Sequence, residues 1–381
     1  MEQIRLVRPE QFEEAARLAD LVFRDAEHKS MRDAYPHAFS PSLSQSYGAF
    51  EDGTLVSFVG FVPAVVRIGE AELNVYSIGA VCTHPDYRGK GYVSRILDRI
   101  REHSIRAGAP VVLVSGNRPL YERFGCRVFG SATSFSIDRE AAAKLTEGPA
   151  AGGAVLRPSE SDDWFALKRL AAGRDVRYEQ SLWDLASLIY AEPTASNGKL
   201  RHRVWVAERD GRPAAFAVIA VPGRIAPRGK PALIEWAGDP PLAAAAAARG
   251  MTESGAESLR AVVPWHETAF AETLRRAGCA AKDCKQSGTV AITDPQALLD
   301  QLGPYLRRID GDAYGKLRFA PTEQGAFIVA WEGGEAELSC DAFIAMLFDQ
   351  GAAAGLGGEG AERLKTLFPI PFPYTAGLNY V

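Results

Sequence analysis

Apolar and polar positions recur along this chain with two periods, and the switches between them outline its elements. Residues 4–7 read as a short strand. Residues 9–24 read as a helix, because Phe12, Ala15, Ala16, Ala19 and Phe23 recur at helical spacing. Residues 25–45 are polar and irregular. Runs at 47–50 and 54–62 flank Asp52-Gly53, a hairpin turn signal. Runs at 65–68 and 71–75 flank Gly69-Glu70 as a second hairpin. A strand is expected over 77–83, stopped by His84-Pro85-Asp86. A helix follows over 91–107: Val93, Ile96, Leu97 and Ile100 fall at i, i+3, i+4 and i+7, and Gly108 is a natural C-terminal cap. Residues 111–114 predict a buried strand, 120–124 a short helix stopped by Gly125, and 128–137 a last strand.

An alanine- and glycine-rich stretch over 141–153 predicts a linker, so a first domain is expected over 1–150. Residues 151–293 echo the same order. A strand is expected at 154–157, a helix near 164–172 and a hairpin over 204–221 around Asp210-Gly211. Then come a strand at 232–235, a helix from Pro241, a strand at 258–263 and a helix at 267–277. The echo suggests a diverged internal duplication. A third domain is expected over 294–381, with a helix at 295–302, strands at 315–320, 325–331 and 334–340, and a helix at 341–348. Residues 351–360 are rich in glycine and alanine and are expected to be mobile. The chain finishes on an apolar, proline-rich run over 367–381, which is odd for a free end, since chain ends are poorly ordered unless tied down.

The composition narrows the class. The chain has 381 residues, 47% hydrophobic and 24% charged, which suits a soluble globular protein of two or three domains and excludes a disordered chain or a fibre. The formal net charge of −4 gives no electrostatic footprint for nucleic acid or an anionic membrane, so neither is an expected partner. Five scattered cysteines (Cys82, Cys126, Cys279, Cys284, Cys340) contain no CxxC, so no metal is expected and reduced thiols are. The first residues lack the apolar core of a signal peptide, and no run approaches a membrane span. A cytoplasmic location is expected.

Candidate chemistry concentrates at Val81-Cys82-Thr83-His84-Pro85-Asp86-Tyr87-Arg88-Gly89-Lys90-Gly91-Tyr92-Val93-Ser94. A strand runs into a glycine-bearing turn and then an amphipathic helix. Glycines let backbone approach a bulky anion, and free N–H groups at a helix start favour phosphate oxygens. Arg88 and Lys90 add positive charge. A plain strand–turn–helix is the competing reading. The spacing matches neither GxxxxGK[ST] nor GxGxxG. It resembles the pyrophosphate loop of the GNAT superfamily of N-acetyltransferases, [QR]-x-x-G-x-[GA]: Arg88 and Gly91 match, while Val93 replaces the last small residue. A second stretch, Leu113-Val114-Ser115-Gly116-Asn117-Arg118-Pro119-Leu120-Tyr121-Glu122-Arg123-Phe124-Gly125, resembles the motif of that family that ends Tyr-x-x-x-Gly.

The whole-chain plan resembles the Eis-type (enhanced intracellular survival) acetyltransferases. The resemblance implies an α+β chain of tandem GNAT folds, each a mixed sheet flanked by helices and the second degenerate, with a small C-terminal domain similar to sterol carrier protein. It implies acetyl-CoA as cosubstrate and one cofactor site, since no RGxG loop occurs in the second segment. Val81, Cys82 and Thr83 would pair with the pantetheine arm, Gly89 to Ser94 would cradle the pyrophosphate, and Gly116 and Asn117 would touch the cofactor. Tyr121 would protonate the leaving thiolate; phenol and thiol pKa values lie within about two units, so that transfer is nearly balanced. As a residue alone, Tyr121 reads also as a packed helix aromatic.

In that family the general base is the α-carboxylate of the last residue, here Val381. No glutamate stands in 77–83 to serve instead, and the competing reading is a tail that only packs. The implied acceptor is a primary amine, on an aminoglycoside-like polycation or a lysine side chain. The implied assembly is a homo-oligomer, hexamers being common. The rival function is a non-catalytic acyl-CoA or lipid-binding module. His84 reads as a surface residue. Asp25, Glu27 and Asp33 read either as a solvated face or as attractors of a cationic acceptor. Neither Cys82 nor Cys126 has a histidine partner in view, so transfer directly to the amine is expected.

Overall fold

The computed structural model describes residues 2–148 and 151–381, and the chain divides into two compact units. The first holds residues up to Gly130, then 286–373 and Val381. The second holds 131–285 and 374–380.

In the first unit β1 (Glu2–Leu6) leads into α1 (Phe12–Phe23), which buries Phe12, Ala15, Ala16 and Ala19 on one stripe. The polar stretch after it contains one helical turn, α2 (Met31–Ala34), capped by the Ser30 hydroxyl, which accepts the Asp33 N–H. Next come β2 (Tyr47–Glu51), β3 (Thr54–Ile68) and β4 (Ala71–Thr83). Both expected hairpins are present, β2–β3 across Asp52-Gly53 and β3–β4 across Gly69-Glu70; what differs is that β3 runs unbroken through Pro63, opposite Tyr76, and that β4 joins the return strand of the second hairpin to the strand expected over 77–83. The pairing of β3 with β2 ends at Tyr47 and Val59, so the missing proline N–H removes no bond to β2.

Then follow α3 (Tyr92–Arg106), β5 (Val111–Val114) and α4 (Pro119–Arg123). The sheet runs β1-β2-β3-β4-β5-β14, where β14 (Thr289–Ile292) arrives from far downstream. Only β4 and β5 are parallel among these neighbours. α3 lays Tyr92, Ile96, Leu97 and Ile100 against Val112, Val114, Tyr121 and Phe124. Its later turns are pinned at His103: the Tyr47 hydroxyl lies 3.0 Å from Nδ1 and the Tyr76 hydroxyl 3.3 Å from Nε2. Tyr76 donates to Gln45, so its oxygen accepts from Nε2–H and Tyr47 donates to Nδ1. Burial lowers the His103 pKa, favouring the neutral ring this network requires.

The second unit repeats the scheme. Its elements are β6 (Ser131–Asp138), α5 (Arg139–Glu147), β7 (Val155–Pro158), α6 (Trp164–Ala172), β8 (Val176–Tyr178), α7 (Leu182–Ala191) and α8 (Pro193–Asn197). β9 (Leu200–Arg209), β10 (Arg212–Pro222), β11 (Ala232–Gly238), α9 (Pro240–Glu253), β12 (Ser258–Pro264), α10 (Thr268–Arg276) and β13 (Ala280–Lys285) follow. The sheet order is β13-β6-β12-β11-β10-β9-β7. Reading β7-β9-β10-β11-β12-β6 against β1-β2-β3-β4-β5-β14, every neighbour pair has the same sense, with one parallel pair at the corresponding place. In each sheet the strand beside the second member of the parallel pair comes from a distant part of the chain, and in the second sheet β13 adds one strand beyond it.

Two expectations are corrected here. The strand expected to finish the first segment, β6, belongs to the second sheet, between β12 and β13. The expected linker begins as helix α5, whose alanines are good helix formers: Asp138 accepts the Ala141 N–H at 2.9 Å, and Ala141, Ala142 and Leu145 are buried. Residues 149–150 of that stretch lie outside the described residues. In α9, Ala243 to Ala248 are all buried. A Cβ at Gly250 would stand 2.5 Å from the Trp205 ring; small residues let this helix lie close on its sheet.

After β14 come α11 (Pro295–Gln301) and α12 (Gly303–Lys316), the latter covering the start of the strand expected at 315. A small antiparallel sheet follows, β15 (Arg318–Pro321), β16 (Phe327–Trp331) and β17 (Gly334–Leu338), then α13 (Cys340–Phe348) and α14 (Leu364–Leu367). This segment groups with the first unit. Gln301 accepts the Asn74 N–H at 2.8 Å and donates to the Gly108 carbonyl at 2.7 Å. Among the described residues no helix is long and apolar enough to cross a membrane.

Candidate functional site

β4 and β5 run side by side only from Val75 opposite Val111 to Ile78 opposite Val114. Beyond that point β4 continues to Thr83, paired with β3 alone. The divergence has a local cause. The β3–β4 register slips between Phe58 and Gly60, and Ala80 takes a φ of 51°. That is the left-handed region, rare for a residue with a side chain, and such outliers gather at functional sites. The edge of β4 over 79–83 therefore carries main-chain groups that, among the described residues, have no strand beside them on the β5 side. An extended ligand arm can pair there as a strand would.

Of the expected contacts on this edge, Cys82 turns inward and is 3% exposed, while Val81 and Thr83 are half-buried. The Ser57 hydroxyl donates to the Cys82 carbonyl at 2.9 Å and lies 2.9 Å from the Thr83 hydroxyl, fixing the strand end. Burial pushes the Cys82 thiol up to about 12. It is a packing group and is poorly suited to be a nucleophile.

The turn after β4 leads into α3 through Gly89 (φ 80°) and Gly91 (φ 75°), the latter the N-terminal cap residue. Among the described residues, no side chain caps the helix, no acid stands in its first turn, and nothing accepts the N–H groups of Gly89 to Ser94. A Cβ at either glycine would meet nothing within 4 Å. The row of donors is open, and the helix dipole adds to its attraction for an anion. Lys90 is paired with Glu51 at 2.9 Å and stands over the Tyr87 ring, which braces the turn. Arg88 is exposed, its Nε 3.5 Å from the Thr83 carbonyl. Val93, the departure from the small-residue pattern, is half-buried and packs against the core cluster that holds Tyr92, Ile96 and Leu97.

On the other arm of the divergence, Gly116 and Asn117 follow β5. A Cβ at Gly116 would stand 3.2 Å from Cε2 of Tyr121, so the phenol ring lies over the bare glycine. Thr289 of β14 donates to the Gly116 carbonyl at 2.9 Å. Tyr121 is 6% exposed, and burial raises its pKa, keeping the hydroxyl protonated. Two arginines cap the carbonyls of its short helix. Arg101 of α3 donates to the Phe124 carbonyl and stands over the Phe124 ring; Arg127 donates to the Glu122 and Cys126 carbonyls, each at 2.9 Å. Asn117 is exposed.

Val381 lies where the two strands part. A Cβ at Gly79 would collide with the Val381 carboxyl carbon and approach its Cγ1 to 2.7 Å. Gly79 and Ala80 are the site residues that motif reading missed. The available signal was an isolated glycine inside a strand of bulky residues, the mark of a bulge or a close approach. The weaker candidates are locally engaged: the His84 ring accepts the Asp86 N–H, and the Asp25 carboxylate lies 2.8 Å from His28 and accepts the Glu27 N–H. Among the described residues, no three His, Cys, Asp or Glu side chains gather as a metal ligand set.

Residues 3–129 match the family model of the acetyltransferase (GNAT) domain. No curated protein matches the sequence. Solved structures share the architecture over nearly the whole chain. An Enterococcus faecalis V583 protein of unknown function, titled "Probable N-Acyltransferase", is 16% identical with a TM-score of 0.68, covering 98% of both chains. A GCN5-related N-acetyltransferase from Kribbella flavida is 16% identical with a TM-score of 0.61, covering 100% of this chain and 98% of its own. Eis1 from Mycobacterium abscessus is 15% identical with a TM-score of 0.63, covering 99% of both. At these identities the likeness is one of fold.

Proposed function

We propose that the chain is an N-acetyltransferase that moves the acetyl group of acetyl-CoA directly to a primary amine. The observation that carries this is the parting of β4 and β5 after Ile78 and Val114, with an open strand edge, an open row of helix N–H groups and the buried Tyr121 phenol around it. The N–H groups of Gly89 to Ser94, with Arg88, would hold the diphosphate. Val81, Cys82 and Thr83 would pair with the pantetheine arm, one of their N–H groups polarising the thioester carbonyl. Gly116 and Asn117 would border the thiol end.

In the reaction the amine nitrogen forms a bond to the carbonyl carbon and the carbon–sulfur bond breaks. Tyr121 supplies the proton that the departing thiolate takes. The α-carboxylate of Val381 takes the proton that the ammonium must lose, and its charge also draws the cation in; the contact of Val381 with Gly79 supports that seat. The acceptor class is a polycationic small molecule or a lysine side chain, in a homo-oligomeric cytoplasmic enzyme. The segment from 294 is read as a sterol-carrier-like scaffold.

The test is thiol release from acetyl-CoA with a panel of primary amines. Release that depends on the amine, with acetylated product by mass spectrometry, supports the reading. Binding of acetyl-CoA without release from any amine or lysine peptide would favour the non-catalytic acyl-CoA module.

A further inference from the structure

In the second unit β11 and β12 pair only at Ala232 and Arg260, while β11 runs on to Gly238. Segment 374–380 lies against this further stretch. It belongs to the second unit, although 286–373 before it and Val381 after it belong to the first. A Cβ at Gly377 would stand 3.2 Å from the Ile234 carbonyl oxygen of β11, so main chain lies close on main chain. Leu378, the next residue, is 0% exposed. It sits in one apolar cluster with Leu167 of α6, Leu185 and Leu188 of α7, Phe216 of β10 and Ile234 of β11.

Polar contacts hold the segment on both sides of that side chain. Thr194 of α8 donates to the Ala376 carbonyl at 3.3 Å, and Gln180 donates to Asn379 Oδ1 at 2.6 Å. The Tyr380 N–H donates to the Gly377 carbonyl at 3.2 Å, closing a turn around Leu378. The segment contains neither helix nor strand, so its own propensity does not order it. What offsets the entropy of fixing it is the surface it docks on.

We propose that the second unit is a receptor for segment 374–380, and that Leu378 is the positioning residue by which it seats the residues that follow. The consequence for catalysis rests on the acyltransferase reading above. Val381 is three residues beyond Leu378, at most about 11 Å of chain. A seated Leu378 confines the terminal carboxylate, and an unseated one frees it. The effect falls on how often the base is in place, hence on kcat, and not on acetyl-CoA affinity.

The experiment applies carboxypeptidase Y to the folded full chain, with timed mass spectrometry of the shortened products, in parallel with thiol-release kinetics on propylamine and spermidine. Leu378→Ala removes the anchor and Leu378→Met keeps its bulk. Leu274→Ala is the control for lost stability, since Leu274 is also 0% exposed but sits in the core cluster that lacks Leu378. Expected is loss of the last residues about tenfold faster in Leu378→Ala than in the wild type, with Leu378→Met and Leu274→Ala near the wild type. In Leu378→Ala alone kcat should fall about tenfold or more with the acetyl-CoA KM unchanged. If Leu378→Ala does not fold, Gln180→Ala, which removes only the bond to Asn379, must shorten faster than the wild type. Shortening of Leu378→Ala no faster than that of Leu274→Ala, or of Gln180→Ala no faster than that of the wild type, overturns the receptor. Faster shortening with kcat held overturns the positioning role. Thiol release from the wild type alongside an overturned receptor leaves the acyltransferase reading standing. The expected shortening pattern without thiol release from either amine sinks that reading and leaves the receptor.

Discussion

The carboxyl end of Val381 rests on the bare α-carbon of Gly79, in the space a side chain at 79 would fill. A methyl there must displace the tail, since the neighbour it meets is main chain. Gly79→Ala therefore tests the role of Val381 by displacing its carboxylate without removing it. Expected is a fall in thiol-release kcat of about 100-fold, the lower range for losing a general base, with acetyl-CoA affinity held within about threefold by titration. A kcat near that of the wild type would remove the carboxylate from the mechanism.

Tyr121 lies over Gly116 with its pKa raised by burial. An acid must be protonated to act, and a raised pKa extends that state to pH values above the ordinary phenol value of about 10. The kcat–pH profile should therefore show no alkaline fall from this group below about pH 10. Tyr121→Phe keeps the ring packing and should lower kcat by about 10- to 100-fold while leaving the acetyl-CoA KM unchanged. Retained kcat in Tyr121→Phe would show that water or another group protonates the thiolate.

Much of the first unit was legible because its signals are local. Val93, Ile96, Leu97 and Ile100 mark one helix face, Gly108 its end, and Asp52-Gly53 a turn, and each depends on neighbours a few residues away. The loop glycines at 89 and 91 were legible for the same reason: their backbone conformation is written in their residue type. What escaped depends on partners distant in sequence. Nothing in Ser131–Asp138 says that its neighbours are β12 and β13, and nothing in Thr289–Ile292 says that it completes a sheet begun nearly three hundred residues earlier. The short helix α8 and strand β8 have too few residues to set a period. The alanine-rich start of the expected linker misled because alanine suits a helix as well as a loop, and the Asp138 cap decided between them. At the site the motif residues were readable; the Gly79–Ala80 kink that opens it needed the ladder register.

Cys82 stands on the proposed cofactor strand yet faces the core with its thiol pushed up to about 12, as is that of Cys126. Near neutral pH almost no thiolate forms at either. Alkylation of the folded chain with iodoacetamide at pH 7.5 should label the half-buried Cys284 and Cys340 first and leave Cys82 and Cys126 intact. Cys82→Ala should keep kcat within about threefold, the cost being packing. A Cys82-bound acetyl group trapped from acetyl-CoA would replace direct transfer by a covalent route.

The open N–H row at the start of α3 makes a claim that backbone strain alone can confuse, so its test needs a matched control. Gly91 has φ 75° and open space where a Cβ would go. Gly91→Ala thus pays only for the left-handed conformation in the free chain, about 1–2 kcal/mol. Gly255 in the second unit has φ 70° and equally open space, so Gly255→Ala pays the same with no anion site beside it. Both variants should lose similar thermal stability. Only Gly91→Ala should weaken acetyl-CoA binding, by about tenfold or 1.4 kcal/mol, because the relaxed backbone re-aims the N–H groups of Tyr92 and Val93 and a methyl crowds the diphosphate. If the two variants bind acetyl-CoA alike, the helix start does not hold the diphosphate.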